Sequence, residues 1–330
     1  MTFEPKVGIL FLNKDEVEGL INVTDAVEAA EQAYRSLGEG QIHQYHLVMP
    51  IKGQNTLNTM PTYIKDLDIY GMKQINVYNK REQGDDLPRI WGSLIILTNP
   101  VDALPYTIMD GTFIHHMRTG GGHPVVAAKY LAKKGSRTLA IYGCNNEAEI
   151  GYRSFNNNFP LEKVKLYDSN AEAMLSVKER IQKDSGVEII ASDSPQEAAE
   201  GADIILITTS LEDTILQSSW VNKGCFIAGL RAFRDIDPEL SKNADKWVVG
   251  TLEGDGELID KNHVLFPKGI DKKDIYGDMG EIVTGAKLGR ENDGEIIVYT
   301  HMGMGGHDVL LAHKAYTRAI EKGKGIKIYL

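Results

Sequence analysis

Hydrophobic spacing along the chain changes character twice. Residues 16–37 place Val23, Ala26, Val27, Ala30 and Tyr34 on one helical face, which predicts one helix with Thr24 or Asp25 as cap and Gly38 as stop. From about Tyr45 to Ile108 the helical period disappears. Short β-like runs such as "GMKQINVY" and "IWGSLIILT" stand between Gly, Pro and Asn turns, the pattern of a mostly antiparallel sheet. "HPVVAAKYLAKKG" (123–135) resumes helical spacing and ends at Gly135. Beyond it strand and helix patterns alternate: "RTLAIYG", a helix to about Asn157, "KVKLYD", a helix near 170–183, "VEIIAS", "SPQEAAEGA" and "DIILITT". Such alternation predicts βαβ units on a parallel sheet, hence an α/β fold, with a seam near residues 118–124. In "GHDVLLAHKAYTRAIEKGKG", Val309, Leu310, Ala312, Ala315, Tyr316 and Ile320 predict a last helix capped near Asp308.

Length agrees with a seam, because 330 residues exceed what one core usually serves. A net charge of −10 without clustered Lys and Arg argues against nucleic acid as a partner. No window approaches the roughly 18 apolar residues of a membrane helix, and "MTFEPKVGILFLNKDEV" lacks the basic start and cleavage site of a secretory signal, so the cytoplasm is expected. Cys144 and Cys225 are too few for a disulfide framework or a cysteine-rich zinc site. His115, His116 and His123 lack the i, i+4 spacing of a helical metal pair, and no metal is expected there.

The stretch "GCNNEAE" (143–149) sits where a dinucleotide-binding turn would, between the apolar run "RTLAIY" and a helix. A Rossmann turn is G-x-G-x-x-G/A, with an acidic residue for the ribose about 20 residues later. Here the frame reads Gly143-x-Asn145-x-x-Ala148, and Asp168 closes the next run. Asn145 stands where a glycine lets the backbone approach pyrophosphate; Asn tolerates the left-handed conformation but takes up room. Asp168 would favour NAD over NADP, since a carboxylate accepts from a free 2′-hydroxyl and repels a 2′-phosphate. Spacing alone leaves two readings open: a variant dinucleotide turn with Asp168 on the ribose, or an ordinary βα turn with Asp168 as a helix cap.

Several stretches in order, "GMKQINVY", "LPRIWGSLIILTNP", "MDGTFIHHMRTGGGHPVVAAKYLAKKG", "GEIVTGAKLGRENDGEIIVY" and "HMGMGGHDVLLAHKAY", make the chain similar to the ornithine cyclodeaminase/mu-crystallin family across nearly its whole length. The resemblance implies a Rossmann-type doubly wound parallel sheet (123–302) inserted into an α+β substrate and dimerisation domain (1–122 plus 303–330), and a homodimer. It also implies an NAD(P)-dependent enzyme acting at the C–N bond of a small amino or imino acid, with NAD as cofactor and NADP as the alternative. At matching positions Lys73 and Arg118 would face the substrate carboxylate, chemistry suited to an ammonium and a guanidinium fork. Thr119 would lie by the cofactor, with Glu147 beside its pyrophosphate and Thr208, Thr209 and Ser210 near its riboses. Asp308, behind a Gly-rich turn, is a candidate catalytic carboxylate whose simpler role is a helix cap.

Departures from the family pattern divide the possible functions. Arg231, in "GLRAFRDIDPEL", falls where cyclodeaminases carry an acid–base Asp, which favours a dehydrogenase or reductase over an ammonia-releasing lyase. His46 replaces an arginine that would grip the carboxylate, and near neutrality His is mostly uncharged. Gly120, Gly121 and Gly122 replace small side chains, leaving space and N–H groups beside the cofactor. Glu147 puts a carboxylate near anionic phosphates, an unfavourable pairing. Together these changes keep a third possibility, a non-catalytic ligand-binding protein on the same scaffold.

Overall fold

The computed structural model describes residues 7–50, 56–77, 92–183, 186–209, 213–230, 235–255 and 271–329. It divides into two compact units, residues 1–118 with 304–330, and residues 119–303. The boundaries fall at 118/119 and 303/304 rather than 122/123 and 302/303. Met117–Gly122 runs as a π-helical turn directly into the helix His123–Leu131, so Thr119 onward packs with the second unit.

In the first unit, strands β1 (Gly8–Leu12), β2 (Ile42–Gln44), β3 (Leu47–Pro50), β4 (Thr56–Ile64), β5 (Ile69–Val77), β6 (Gly92–Thr98) and β7 (Pro105–Asp110) form one sheet with the closing strand Ile326–Tyr329. All its pairings are antiparallel except β1 with β7. The helices Val23–Gly38 and Gly305–Lys322 pack on each other, and the latter also lies on β4, β5 and β6. Two expectations need correction here. The segment 16–37 is not one helix: Lys14–Glu18 and Val23–Gly38 are separated by a break, and Asn22 caps the second while Asp25 closes the box from inside. Capping is stronger from Asn22 because an extended residue just outside the helix can reach the orphan N–H groups, whereas Thr24 is already helical. Nor does Asp308 cap the last helix, which begins at Gly305; Asp308 lies within its first turn and spends its side chain elsewhere.

In the second unit, strands β8 (Thr138–Tyr142), β9 (Lys163–Tyr167), β10 (Glu188–Ala191), β11 (Ile204–Ile207), β12 (Phe226–Gly229), β13 (Lys246–Val249), β14 (Gly277–Asp278) and β15 (Ile297–Thr300) form an all-parallel sheet in the order β10-β9-β8-β11-β12-β15-β13-β14. Every residue of β11, β12, β13 and β15 is buried, as expected of parallel strands covered on both faces. This is why "IILI" and "FIAG" show no alternation. Chain order reverses between β8 and β11, and at such a switch point ligands bind outside the carboxyl ends of the strands.

Candidate active site

The first unit concentrates charge where its sheet is driest. Along β5, Gly71, Lys73 and Ile75 share the buried face, so Lys73 occupies a core position, opposite Met60 on β4 and Ile95 on β6. Glycines bring the last helix down onto this sheet. A Cβ at Gly71 would meet Leu97 at 2.6 Å and Val309 at 3.1 Å, and one at Gly305 would meet the Met60 carbonyl at 3.0 Å. The close approach sets Asp308 against Lys73, with Nζ donating to Oδ1 at 2.8 Å. Arg118 Nε donates to the same oxygen at 3.3 Å. His115 precedes Arg118 by one helical turn, on the same face. Its Nδ1 lies 3.0 Å from Lys73 Nζ and 3.0 Å from Arg118 Nη2.

Lys73, Asp308, Arg118 and His115 are all buried. Burial pushes the Lys73 ammonium down to about 8, Arg118 pushes the same way, and Asp308 opposes both. Two cations and one carboxylate leave one positive charge in a dry setting, and Asp308 Oδ2 has no hydrogen-bond partner among the described residues. Such a cluster suits a single carboxylate ligand. His46 stands exposed between β2 and β3.

The second unit holds the nucleotide-type turn at its switch point. Gly143 has φ +91°, and a Cβ there would meet Thr208 Oγ1 at 2.8 Å and the Thr209 nitrogen at 3.0 Å, so this position requires glycine. Asn145 is extended at φ −114°, not left-handed. Its side chain caps the helix Asn146–Asn158, accepting from the Ala148 N–H at 3.1 Å and donating to the Thr208 carbonyl at 3.0 Å. The missing glycine is therefore a cap that ties the turn to β11, which accounts for a departure that counted against binding. Asp168 does not cap its helix, since Asn170 does; its Oδ2 accepts from the Cys144 N–H of the turn at 2.7 Å and its Oδ1 from the Asn170 N–H at 2.8 Å. The carboxylate is thus fixed beside the turn.

Gly120 and Gly121 do not leave open space. A Cβ at Gly120 would collide with the Glu147 backbone, and one at Gly121 would lie 2.9 Å from Ile150. These glycines let the chain pack against the helix Asn146–Asn158, and the Glu147 side chain is buried in that helix's first turn. Thr208 Oγ1 donates to the Tyr142 and Gly143 carbonyls at 3.1 and 2.9 Å, and Thr209 Oγ1 donates to Asp235 Oδ2 at 3.0 Å. Both hydroxyls keep only acceptor capacity for a ligand. Thr119 is buried with Oγ1 lacking a hydrogen-bond partner among the described residues. Ser210 and Arg231 lie outside the described residues.

Two residues escaped the sequence reading. His115 drew notice only beside His116 and His123, yet His115 joins Lys73 and Arg118 while His123 Nδ1 pairs with the Tyr299 hydroxyl at 2.9 Å. Its signal was the i, i+3 spacing to Arg118. Asp235 is buried, its Oδ1 lacks a hydrogen-bond partner among the described residues, and burial pushes its carboxyl up to about 7 against the Thr209 hydrogen bond. Nothing in "RDIDPEL" distinguished it from its neighbours.

A nicotinamide dinucleotide fits these features: a left-handed glycine at the switch point, a capped helix behind it, a fixed carboxylate after β9, and an orphaned hydroxyl at Thr119. The chain is similar to several known proteins. Alanine dehydrogenase of Archaeoglobus fulgidus is 32% identical over 97% of this chain and 98% of its own. The structure of Thermococcus litoralis Δ1-pyrroline-2-carboxylate reductase in complex with NADH and L-proline superposes with TM-score 0.86 at 29% identity, covering 97% of this chain and all of that one. An archaeal alanine dehydrogenase dimer with bound NAD gives 0.85 at 27% identity, covering 97% and 99%. The model of the ornithine cyclodeaminase/mu-crystallin family matches residues 9–323, and the chain belongs to that family.

Proposed function

We propose that the protein is an NAD(P)-dependent oxidoreductase acting at the C–N bond of a small amino or imino acid, with NAD the preferred cofactor, and that it works as a homodimer. The observation that carries this reading is the buried set Lys73, Arg118 and Asp308, with its single surplus positive charge. The cofactor, when bound, supplies or accepts the hydride at the substrate α-carbon. Arg118 and Lys73 clamp the α-carboxylate, fixing the direction in which the α-carbon faces. Lys73, held near 8, stays charged at neutral pH yet can release a proton, so it can also serve a nitrogen that gains or loses one. Asp308 balances the two cations and aims them. In the other unit Asp168 would accept from the adenosine ribose, Asn145 and Ala148 would shape the turn by the pyrophosphate, and Thr119 would meet the cofactor with its hydroxyl. Cofactor preference rests on Asp168, whose charge disfavours a 2′-phosphate. The homodimer rests on the archaeal relative and on Leu47, Val48 and Met49, an apolar row exposed on β3.

Titration calorimetry with NAD and NADP tests the cofactor half. Saturable binding of NAD, weaker for NADP, is expected, with Asp168→Ala weakening NAD and narrowing its advantage over NADP; no heat with either points to a non-catalytic ligand-binding protein. A cyclodeaminase-type lyase is the second reading, favoured by one observation: Asp235 is a buried carboxyl near 7, suited to acid–base work. That reading requires ammonia from ornithine without net NADH.

A further inference from the structure

His115 makes a contact that the clamp alone does not require. Its Nδ1 lies 3.0 Å from both Lys73 Nζ and Arg118 Nη2, and both of those groups are donors only. One ring nitrogen facing two cationic donors must offer its lone pair, so its hydrogen sits on Nε2. The contacts close a ring: Lys73 to Asp308 Oδ1, Asp308 Oδ1 to Arg118 Nε, Arg118 Nη2 to His115, and His115 back to Lys73. Each cation is held by the same two acceptors, of which only Asp308 carries charge.

We propose that His115 is a positioning residue of this site, a neutral acceptor that aligns Lys73 and Arg118 without cancelling the charge that binds the substrate carboxylate. The proposal deepens the oxidoreductase reading and rests on it. The choice of residue type follows from charge. A second carboxylate at this position would hold the cations equally well but bring the cluster to neutrality, removing the attraction for an anion. An apolar residue would leave the charge but free both side chains to turn. Among the described residues these contacts use two of the three Lys73 N–H donors and two of the five Arg118 donors. Lys73 from β5 and Arg118 from its own stretch of helix contact the ring, and the His116 ring centroid is 5.6 Å away.

Two measurements on the full chain decide the matter. Long-range proton–nitrogen spectra of histidine-labelled protein read the tautomer without any turnover. The expected result is a neutral His115 with its hydrogen on Nε2 at pH 7, assigned by its loss in His115→Asn; a hydrogen on Nδ1 or an imidazolium overturns the proposal. Steady-state kinetics then separate positioning from bulk structure. His115→Asn, which keeps a neutral acceptor, should retain near wild-type KM for the amino or imino acid, whereas His115→Asp should raise KM roughly ten- to a hundredfold with kcat less affected. His115→Leu should lower kcat as well. Equal KM in the Asn and Asp variants contradicts the charge argument. Should wild-type protein turn over no substrate, the oxidoreductase reading fails, and the tautomer still decides the role of His115.

Discussion

Asp308 allows two cations to be buried side by side. Asp308→Ala leaves Lys73 and Arg118 uncompensated, and removing one partner of a buried pair costs about 3–5 kcal/mol, a loss chemical denaturation should register. Unchanged stability would mean the charges are hydrated in solution. Lys73 carries its own pH signature. Because its folded value is about 8, its charge fades as pH rises through 8, and KM for the carboxylate substrate should climb there. Stability moves the other way: the unfolded chain holds this proton up to about 10.5, so Lys73 contributes stability as pH rises from 8 and withdraws it as pH falls through 8. An alkaline rise in KM that survives in Lys73→Arg, whose guanidinium stays charged over this range, belongs to some other group. Asp235 has the opposite sign. Raised to about 7, its contribution is present below the ordinary 3.8 and lost as pH climbs through 7, so Asp235→Asn should gain in relative melting temperature between pH 5 and pH 8. A constant difference between the two proteins would show that Asp235 is ionised throughout.

At the scale of elements, the turn 143–149 acts through backbone and cap together. Asn145→Gly restores the fingerprint yet removes a cap and the hydrogen bond to the Thr208 carbonyl, so it should leave NAD affinity no better and cost stability, by a few tenths to about 1 kcal/mol. A large gain in affinity would show instead that the Asn145 side chain obstructs the cofactor. Gly120→Ala drives a methyl into the Glu147 backbone and should displace the start of that helix, with loss of dinucleotide binding greater than in Gly135→Ala, where a Cβ meets nothing but the φ of +78° still carries strain. The parallel sheet was legible in the sequence because β11 and β12 are buried on both faces and read as unbroken apolar runs. Helix starts were less so. Asn22 and the start at Gly305 were passed over because Thr24, Asp25 and Asp308 are also cap-type residues close to the first apolar-periodic positions, and only the packing of the last helix on β4 and β5 shows that Asp308 is engaged with Lys73. Lys73 betrayed itself by nothing local, since one lysine in an alternating strand usually faces water. Its pairing depends on residues 235 positions apart.

For the whole molecule, family membership settles the architecture, and the two units carry the two halves of the proposed reaction. The exposed apolar row Leu47, Val48 and Met49 should be covered by a second copy, giving a dimeric mass in light scattering that Val48→Glu reduces toward the monomer. A wild-type monomer at assay concentration rejects that assignment. The central claim, hydride transfer at an amino-acid α-carbon, is tested most directly by supplying NADH deuterated at the transferring carbon together with imino acids, and locating the label by mass spectrometry. The account expects one NADH consumed per product and deuterium at the product's α-carbon, both lost in Lys73→Met. Ammonia released from ornithine with no net NADH consumed, or no turnover and no cofactor bound, would contradict it.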